Sequence, residues 1–263
     1  MSNGSEGHSM IRFKIGKVEK HINEIVDSGK GVLMGLIDPD KQDPHKGLEL
    51  AKIMCEGGAD VIMLGGSIGV QGPVLDETAK MIKESCNIPL HIFPGNVGNV
   101  TKHADSIYFM SLMNSKNPYW ITGAQTLGAH IIKEFGIEAI PTAYLIFEPG
   151  QTVGWVGEAN LIPRDKPEIA VAYAQAAEYL GKRFVILESG SGSPVHVPLE
   201  TVSLIRKTTD INIVIAGGVK TPEQARELVL AGANCIHIGT KIEEASNPLE
   251  RVKQFAEAIH GKV

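Results

Sequence analysis

Short apolar runs alternate with segments of helical spacing along the chain. Eight runs are almost continuously apolar, which is typical of parallel strands that are buried on both faces. The predicted strands are Val32–Ile37, Val61–Leu64, Leu90–Phe93, Ile107–Met110, Ala139–Ile146, Phe184–Leu187, Ile211–Ile215 and Cys235–Ile238. The predicted helices are Phe13–Ser28, His45–Glu56, Asp76–Ser85, Pro118–Phe135, Asp165–Leu180, Pro198–Thr208, Pro222–Ala231 and Asn247–His260. This alternation favours a single (β/α)8 barrel over a doubly wound sheet.

Two connections depart from the alternating pattern. Pro94–Ser106 is too short and too rich in glycine for a full barrel helix, so the outer helix after the third strand is predicted to be reduced or missing. A side opening in the barrel wall would follow. Phe147–Pro163 is predicted as a long loop that carries Trp155.

Length and charge restrict the class of protein. The 263 residues fit one barrel domain, predicted at 11–263, and residues 1–10 are predicted to be a disordered lead-in or a cloning remnant. The net charge of -5 argues against a nucleic-acid partner. No apolar run approaches the ~18 residues of a membrane span, and the first ten residues lack the apolar core of a signal peptide. We therefore expect a cytoplasmic protein without stable membrane insertion.

The ends of the last three strands carry the clearest chemical signal. Each strand is followed by glycines, in Glu188–Pro194, Ala216–Val219 and Gly239–Thr240. Glycine lets the backbone approach an anion closely, and the N–H groups of a following helix point towards it. Turn formation alone is the other interpretation of these glycines, but their place on three consecutive late strands predicts a site for a phosphorylated small molecule.

Three polar residues at strand ends are candidates for catalysis or metal binding. Asp38 follows the first strand and is a candidate Mg²⁺ ligand, although an aspartate before proline also caps turns. Ser67 follows the second strand and either joins the same ion or phosphate or caps a helix. Glu188 ends the sixth strand, where burial would raise its pKa and suit it to act as a general base, or where glycine-loop N–H groups would bind it.

With these motifs assembled, the chain resembles the geranylgeranylglyceryl phosphate synthases, the prenyltransferases of archaeal ether-lipid synthesis, and their bacterial relatives. The matching motifs are Leu36–Lys41, Gly65–Ser67, Phe93–Asn96, Phe109–Asn114, Asn117–Trp120, Leu161–Arg164, Glu188–Pro194, Ala216–Val219 and Gly239–Thr240. Asn117–Trp120 and Leu161–Arg164 are similar to the second of the two main groups of that family.

The resemblance implies a reaction and a set of site residues. The 3-hydroxyl of sn-glycerol 1-phosphate would attack C1 of a prenyl diphosphate, such as geranylgeranyl diphosphate, and pyrophosphate would leave. Asp38 and Ser67 would hold Mg²⁺, and Glu188 would orient or deprotonate the attacking hydroxyl. Glycerol phosphate would be bound by Ile186, Leu187, Glu188, Ser189, Gly190, Ser191, Gly192, Gly217, Gly218, Gly239 and Thr240.

The resemblance also implies a homo-oligomer, either a dimer or a hexamer, and Trp155 is a candidate interface anchor. An apolar groove for the prenyl chain is expected at the thinned wall, with Tyr119 and Tyr144 as candidate lining residues. One position departs from the family pattern: Ile186 replaces the usual tyrosine, so a phenolic contact to glycerol phosphate is absent. Prenyl chain length does not follow from the sequence.

Two other functions compete with prenyl transfer. A sugar-phosphate isomerase or aldolase-type barrel would share the late-strand phosphate site, but it commonly uses a strand-borne lysine or a carboxylate pair. A non-catalytic barrel that binds a phosphorylated metabolite is the third possibility.

Overall fold

The computed structural model of the protein describes residues 15–65 and 72–261, which form a closed barrel of eight parallel strands. Each strand pairs with the next one in sequence, and β8 closes the barrel against β1, with Val32 opposite Cys235. The strands are β1 Val32–Ile37, β2 Val61–Gly65, β3 Leu90–Phe93, β4 Ser106–Leu112, β5 Glu138–Ile146, β6 Phe184–Glu188, β7 Asn212–Ala216 and β8 Cys235–Ile238. The predicted barrel is confirmed.

Helices surround the barrel, and the eight predicted helices are present in the predicted order. The observed helices are α1 Lys17–Asp27, α2 Pro44–Gly57, α3 Pro73–Ser85, a π-helical turn Tyr119–Gly123 that runs into α4 Ala124–Phe135, α5 Gln151–Val156, α6 Pro167–Tyr179, α7 Leu199–Thr208, α8 Pro222–Leu230, α9 Thr240–Glu243 and α10 Pro248–His260. The π-helical turn, α5 and α9 were not predicted. Proline in the first turn starts several of these helices, because its missing N–H is not needed there. None of the helices among the described residues is long and apolar enough to cross a membrane.

The barrel wall is thinned between β3 and β4, as the sequence predicts. Residues 94–105, all of which are described, form turns and contain no helix. The pairing of β3 with β4 ends at Ile92 opposite Ile107, whereas β4 continues to Leu112. The upper part of β4 therefore has no strand beside it on the β3 side, and the wall can open there.

The connection after β5 differs from the prediction. Phe147–Pro163 was expected to be a loop, but residues Gln151–Val156 form the short helix α5. Glycine disfavours helices, yet Gly154 and Gly157 bring α5 close to Leu161 and Leu112, where an added Cβ would lie 3.0 Å and 2.4 Å from their side chains. Tertiary packing thus overrides the low helix propensity of this stretch.

The core has two layers separated by the strands. Alternate strand residues point into the barrel, and the others pack against the surrounding helices. At the N-terminal end of the barrel, Glu138 accepts hydrogen bonds from the N–H groups of Val18 (2.8 Å) and Glu19 (3.0 Å), which fixes the start of α1. Buried Ile22 of α1 then joins the inner layer. The N-terminal end is thus closed, and a site is left at the other end.

The domain boundaries stay a prediction. The lead-in predicted at residues 1–10 lies outside the described residues.

Candidate active site

A cavity of about 500 Å³ opens at the C-terminal ends of the strands, where (β/α)8 barrels bind their substrates. Residues at or just after the ends of β1, β6, β7 and β8 form its polar part, including Asp38, Glu188, Gly217 and Thr240. The structure therefore brings together groups that are far apart in the sequence, since Asp38 and Thr240 are separated by 202 positions.

An apolar arm extends this cavity through the barrel wall. Ile107 and Phe109 of β4 point outwards, because they alternate with inward-facing Tyr108 and pack in the outer core. Both line the cavity together with Gly128 and Ile132 of α4. The arm thus runs between β4 and α4, beside the connection that lacks a helix, and has the apolar surface expected of a groove for a hydrocarbon chain.

Glu188 is held from both sides at the end of β6. Its carboxylate accepts a hydrogen bond from the Gly190 N–H (2.6 Å, Oε1) and one from the Tyr144 hydroxyl (3.3 Å, Oε2). The side chain is 5% exposed, and burial raises the pKa of Glu188 to about 7, although both hydrogen bonds act in the opposite direction. A carboxylate with such a pKa can exchange a proton near neutral pH.

Gly217 lies directly against this carboxylate. Its φ is +74°, and a Cβ there would lie 2.4 Å from Glu188 Oε1 and 2.5 Å from the carbonyl oxygen of Gly190. The neighbouring Gly218 has φ +76°, and its Cβ would meet the Val195 carbonyl oxygen at 2.0 Å. Both positions need glycine for backbone conformation and for space.

Most of the predicted site residues reach the cavity. Those that line it are Asp38, Glu188, Ser191, Gly192, Gly217, Gly218, Gly239 and Thr240. Ile186 and Leu187 are fully buried in β6, with Ile186 in the inner core and Leu187 in the outer core. Ser189 is also fully buried, and the Gly190 N–H donates to Glu188. Ser67 lies outside the described residues.

Asp38 has the turn-capping role that its sequence context suggests, and it also lines the cavity. Oδ1 accepts a hydrogen bond from the Asp40 N–H (3.2 Å), so the carboxylate does cap the turn after β1. Oδ2 lies 3.1 Å from the Lys41 ammonium group, and both side chains line the cavity. The carboxylate is therefore oriented by its own turn and faces the polar part of the cavity.

A second carboxylate, Glu243 of α9, lies near this pair. Burial raises the pKa of Glu243, Lys41 opposes the rise and Asp38 adds to it. The Gln42 side-chain amide lies 3.4 Å from both the Asp38 carbonyl oxygen and Glu243 Oε1. Within the described ranges, no group of three or more His, Cys, Asp or Glu side chains is arranged to hold a metal ion.

A buried polar group that the sequence did not predict contributes Tyr108 and His237 to the lining of the cavity. The Tyr108 hydroxyl lies 3.1 Å from Nε2 of His237 and 3.3 Å from the sulfur of Met34. The other histidine of this group, His91, contacts the hydroxyl of Ser106 at 2.7 Å and packs edge-on against Tyr108. Burial lowers the pKa of His237 to about 3, so the ring is neutral at physiological pH.

The alternation of inward and outward positions along each strand was the one feature of the sequence that could have indicated these residues. His91, Tyr108 and His237 each occupy an inward position of an apolar strand, but their spacing in the sequence does not show that they meet. Of the two aromatic residues expected in the prenyl groove, Tyr144 lines the cavity, whereas Trp120 rather than Tyr119 does so from the π-helical turn. Tyr119 is partly exposed and packs edge-on against Trp120.

Fold and cavity define a (β/α)8 barrel with a glycine-rich polar site and an apolar arm through its wall. A model of the PcrB family matches residues 26–259. The chain therefore belongs to the PcrB family.

Named relatives agree with the family resemblance seen in the sequence. The geranylgeranylglyceryl phosphate synthase of Thermococcus kodakarensis is 51% identical over 248 residues, which cover 94% of this chain and 98% of that protein. The enzyme of the same name from Methanothermobacter marburgensis is 47% identical, with 92% and 98% covered.

A solved structure of a geranylgeranylglyceryl phosphate synthase is also similar to this chain. The (S)-3-O-geranylgeranylglyceryl phosphate synthase of Thermoplasma acidophilum, solved with its substrate sn-glycerol-1-phosphate, matches with a TM-score of 0.89 and 38% identity, covering 94% of this chain and 99% of that one. Thiamine phosphate pyrophosphorylase of Pyrococcus furiosus matches with a TM-score of 0.57 at 16% identity, covering 88% of this chain and 96% of that one, which shows the shared fold alone.

Proposed function

We propose that this protein is a phosphoglycerol prenyltransferase. It joins the 3-hydroxyl of sn-glycerol 1-phosphate to C1 of geranylgeranyl diphosphate and releases pyrophosphate, forming the first ether bond of archaeal membrane lipids. Membership of the PcrB family and the named relatives support this reaction. The observation that carries it is the cavity itself, which joins an oriented buried carboxylate to an apolar arm through the barrel wall.

The reaction needs a group that accepts one proton. The glycerol 3-oxygen forms a bond to C1 of the prenyl chain, the bond from C1 to the diphosphate oxygen breaks, and the hydroxyl proton moves to Glu188. The raised pKa of Glu188 suits it to take this proton near neutral pH. Its two hydrogen bonds hold the carboxylate in one orientation, so the proton is accepted at a fixed place.

The glycine loops suit the phosphate of the acceptor. Gly217 and Gly218 turn the chain sharply after β7, and Ser191 and Gly192 face them from the β6 loop. Backbone N–H groups in such turns attract anions. Thr240 begins α9 after β8 and completes the polar part. We assign these residues to glycerol phosphate, with Gly239 beside them, while Ile186, Leu187, Ser189 and Gly190 shape the strand end and loop.

Asp38 fits a bound Mg²⁺ ion. It offers oxygen ligands to the cavity from a carboxylate that is 16% exposed, and Mg²⁺ usually binds through one or two carboxylates plus substrate phosphates. Mg²⁺ would stabilise the charge that builds on the leaving diphosphate. Ser67, the other predicted ligand, lies outside the described residues.

The competing functions find less support in the site. The eight strands of the structure contain no lysine, which a Schiff-base aldolase would need. The apolar arm has no use in an enzyme or a binding protein for a small sugar phosphate.

A turnover assay tests the proposal. Purified protein is given sn-glycerol 1-phosphate or its 3-phosphate enantiomer, with C15, C20 or C35 prenyl diphosphate, in Mg²⁺ or in chelator. We expect an ether product only with the 1-phosphate and only with metal. If the folded protein binds glycerol phosphate but forms no product with any pairing, the proposal is wrong and a binding function takes its place.

Two variants assign the roles of the carboxylates. Glu188→Gln should lower kcat about 10²–10⁴-fold, which is the range for loss of a general base. Asp38→Ala should be inactive, and added Mg²⁺ should not restore its activity. If Asp38→Ala turns over near the wild-type rate, the metal assignment is wrong.

We further propose a homo-oligomer in the cytoplasm. Trp155 on α5 is 84% exposed, and tryptophan is enriched among the residues that anchor interfaces. Trp155→Glu should lower the mass measured by light scattering, with Tyr179→Glu, at an equally exposed aromatic residue, as the comparison. An unchanged mass for Trp155→Glu would exclude this anchor.

A further inference from the structure

Lys41 lines the cavity near two carboxylates, Asp38 and Glu243. Its ammonium group lies 3.1 Å from Asp38 Oδ2, and Lys41 also acts electrostatically on Glu243. The pair is held by local geometry, because the Lys41 N–H donates to the Asp38 carbonyl oxygen (3.1 Å) in the turn after β1. In this state the lysine neutralises the carboxylate that the proposed function assigns to Mg²⁺.

This ion pair cannot persist once a metal ion binds Asp38. A divalent cation on the same carboxylate would lie a few ångströms from the ammonium group, and like charges at that distance repel strongly even near a protein surface. The Lys41 side chain is 53% exposed and has a flexible four-carbon stem, so the ammonium group can move without a change in the backbone.

The cavity shows where the ammonium group would go. Lys241, another lysine at the mouth, already pairs with Glu244 on its own helix at 2.6 Å. Lys220 follows β7 beside the glycines assigned to glycerol phosphate. Of these three lysines, Lys41 is the one that forms an ion pair with Asp38, so its ammonium group starts beside the place where a diphosphate on the Asp38 metal would lie. An ammonium group is a common phosphate ligand.

We propose that Lys41 is an exchangeable counter-ion, which holds Asp38 in the free protein and binds the diphosphate when metal occupies Asp38. The inference rests on the proposed function. Its consequence is thermodynamic coupling: Lys41 weakens the binding of Mg²⁺ alone and strengthens the binding of the metal with diphosphate. The protein would thereby load metal and prenyl diphosphate together and disfavour metal without substrate.

Titration calorimetry on the full chain tests this coupling, with Mg²⁺ alone and with pyrophosphate in saturating Mg²⁺ as the probes. Lys41→Met should bind Mg²⁺ alone about two- to fivefold more tightly, because a partly exposed ion pair no longer competes. It should bind pyrophosphate about tenfold or more weakly, because a charge-assisted contact is lost. Lys41→Arg should stay closer to the wild type in both titrations.

Lys46→Met is the matched control. Lys46 is similarly exposed and pairs with Glu49 three residues later at 3.5 Å, but it lies on α2 outside the cavity. Both affinities should stay at the wild-type values in this variant.

The outcomes separate this inference from the proposed function. If Lys41→Met leaves either affinity unchanged, or moves either in the opposite direction, the counter-ion role is wrong. Asp38→Asn should abolish the binding of Mg²⁺ alone. If Asp38→Asn still binds Mg²⁺ alone, the metal assignment itself is wrong. If Asp38→Asn loses the affinity for Mg²⁺ while Lys41→Met keeps both wild-type affinities, only the inference about Lys41 is overturned.

Discussion

The Tyr144 hydroxyl donates a hydrogen bond to the Glu188 carboxylate across the top of the barrel, with an oxygen–oxygen distance of 3.3 Å. The two residues lie on neighbouring strands β5 and β6, and both are buried. Burial raises the pKa of Glu188 to about 7, and the Tyr144 hydroxyl holds the rise in check because it stabilises the charged carboxylate. The Gly190 N–H lowers this pKa more than the hydroxyl does, so Tyr144 helps to set the pH range in which Glu188 can act as a base.

Tyr144→Phe should therefore shift the pH profile of activity. In the wild type, kcat/KM should rise with pH up to about 7 and then level off, because only the ionised carboxylate of the free enzyme accepts the proton. Without the hydroxyl the pKa of Glu188 rises, so the rising limb moves to higher pH. Activity at pH 6.5 should fall several-fold and recover above pH 9. An equal loss at every pH would contradict this role and indicate a contact with substrate instead.

Gly217→Ala should disable the site through Glu188. The added Cβ would lie 2.4 Å from Glu188 Oε1, so the carboxylate must move, and φ of +74° adds backbone strain. We expect a loss of activity of about a hundredfold, since displacement of a catalytic group by about 1 Å costs that much. Gly181→Ala is the control, because Gly181 has φ +78° but open space around its Cβ position. Equal activity in the two variants would show that the close approach does not matter.

The sequence predicted the part of the site that depends on local pattern. Glu188 and the glycines after β6, β7 and β8 follow apolar strands directly, so the barrel rule was enough to place them at one end. The missing helix after β3 was readable in the same way, from a connection too short to hold one. Local spacing alone gave these results.

Contacts between residues on distant strands could not be predicted from the sequence. Tyr108 and His237 meet across 129 residues, and which inward positions share a layer depends on the register of every strand between them. The helix α5 was missed because its glycines are used for packing against Leu161 and Leu112. Lys41 was visible beside Asp38, but Glu243 joins them only through the closure of β8 against β1.

The apolar arm leads to a prediction about chain length. Gly128 lies on α4 and lines the arm, and a Cβ there would meet only Ile132, at 3.9 Å. Gly128→Leu should fill the arm without destabilising the helix, because leucine is a better helix former than glycine. We expect turnover of C20 diphosphate to fall at least about tenfold while C10 or C15 is retained.

Gly128→Ala is the matched control for the arm, since one methyl group fits the open space. It should turn over all chain lengths nearly as the wild type does. If Gly128→Leu uses C20 as well as C15, the prenyl chain does not occupy this arm.

The buried histidine His237 leads to a prediction about stability and pH. Its pKa is lowered to about 3 by burial, whereas the unfolded chain binds the proton near 6.5, so the unfolded state gains protons first as pH falls. The stability that neutral His237 contributes is present above pH 6.5 and should be lost as pH falls towards 3. Between pH 7.5 and 5 this loss is about 2 kcal/mol for one such group.

His237→Gln removes the titration but retains an acceptor for the Tyr108 hydroxyl. The free energy of unfolding, measured in urea at each pH, should fall by about 2 kcal/mol less in this variant than in the wild type between pH 7.5 and 5. Glu188 changes the free energy of unfolding in the opposite direction, because its raised pKa stabilises the folded state as pH falls. Since Glu188 is present in both proteins, its contribution cancels in the difference between the variant and the wild type. Exposed His130→Gln on α4 should follow the wild-type curve. Parallel curves for His237→Gln and the wild type would mean that the buried ring is charged in the folded protein or that the barrel opens to water before it unfolds.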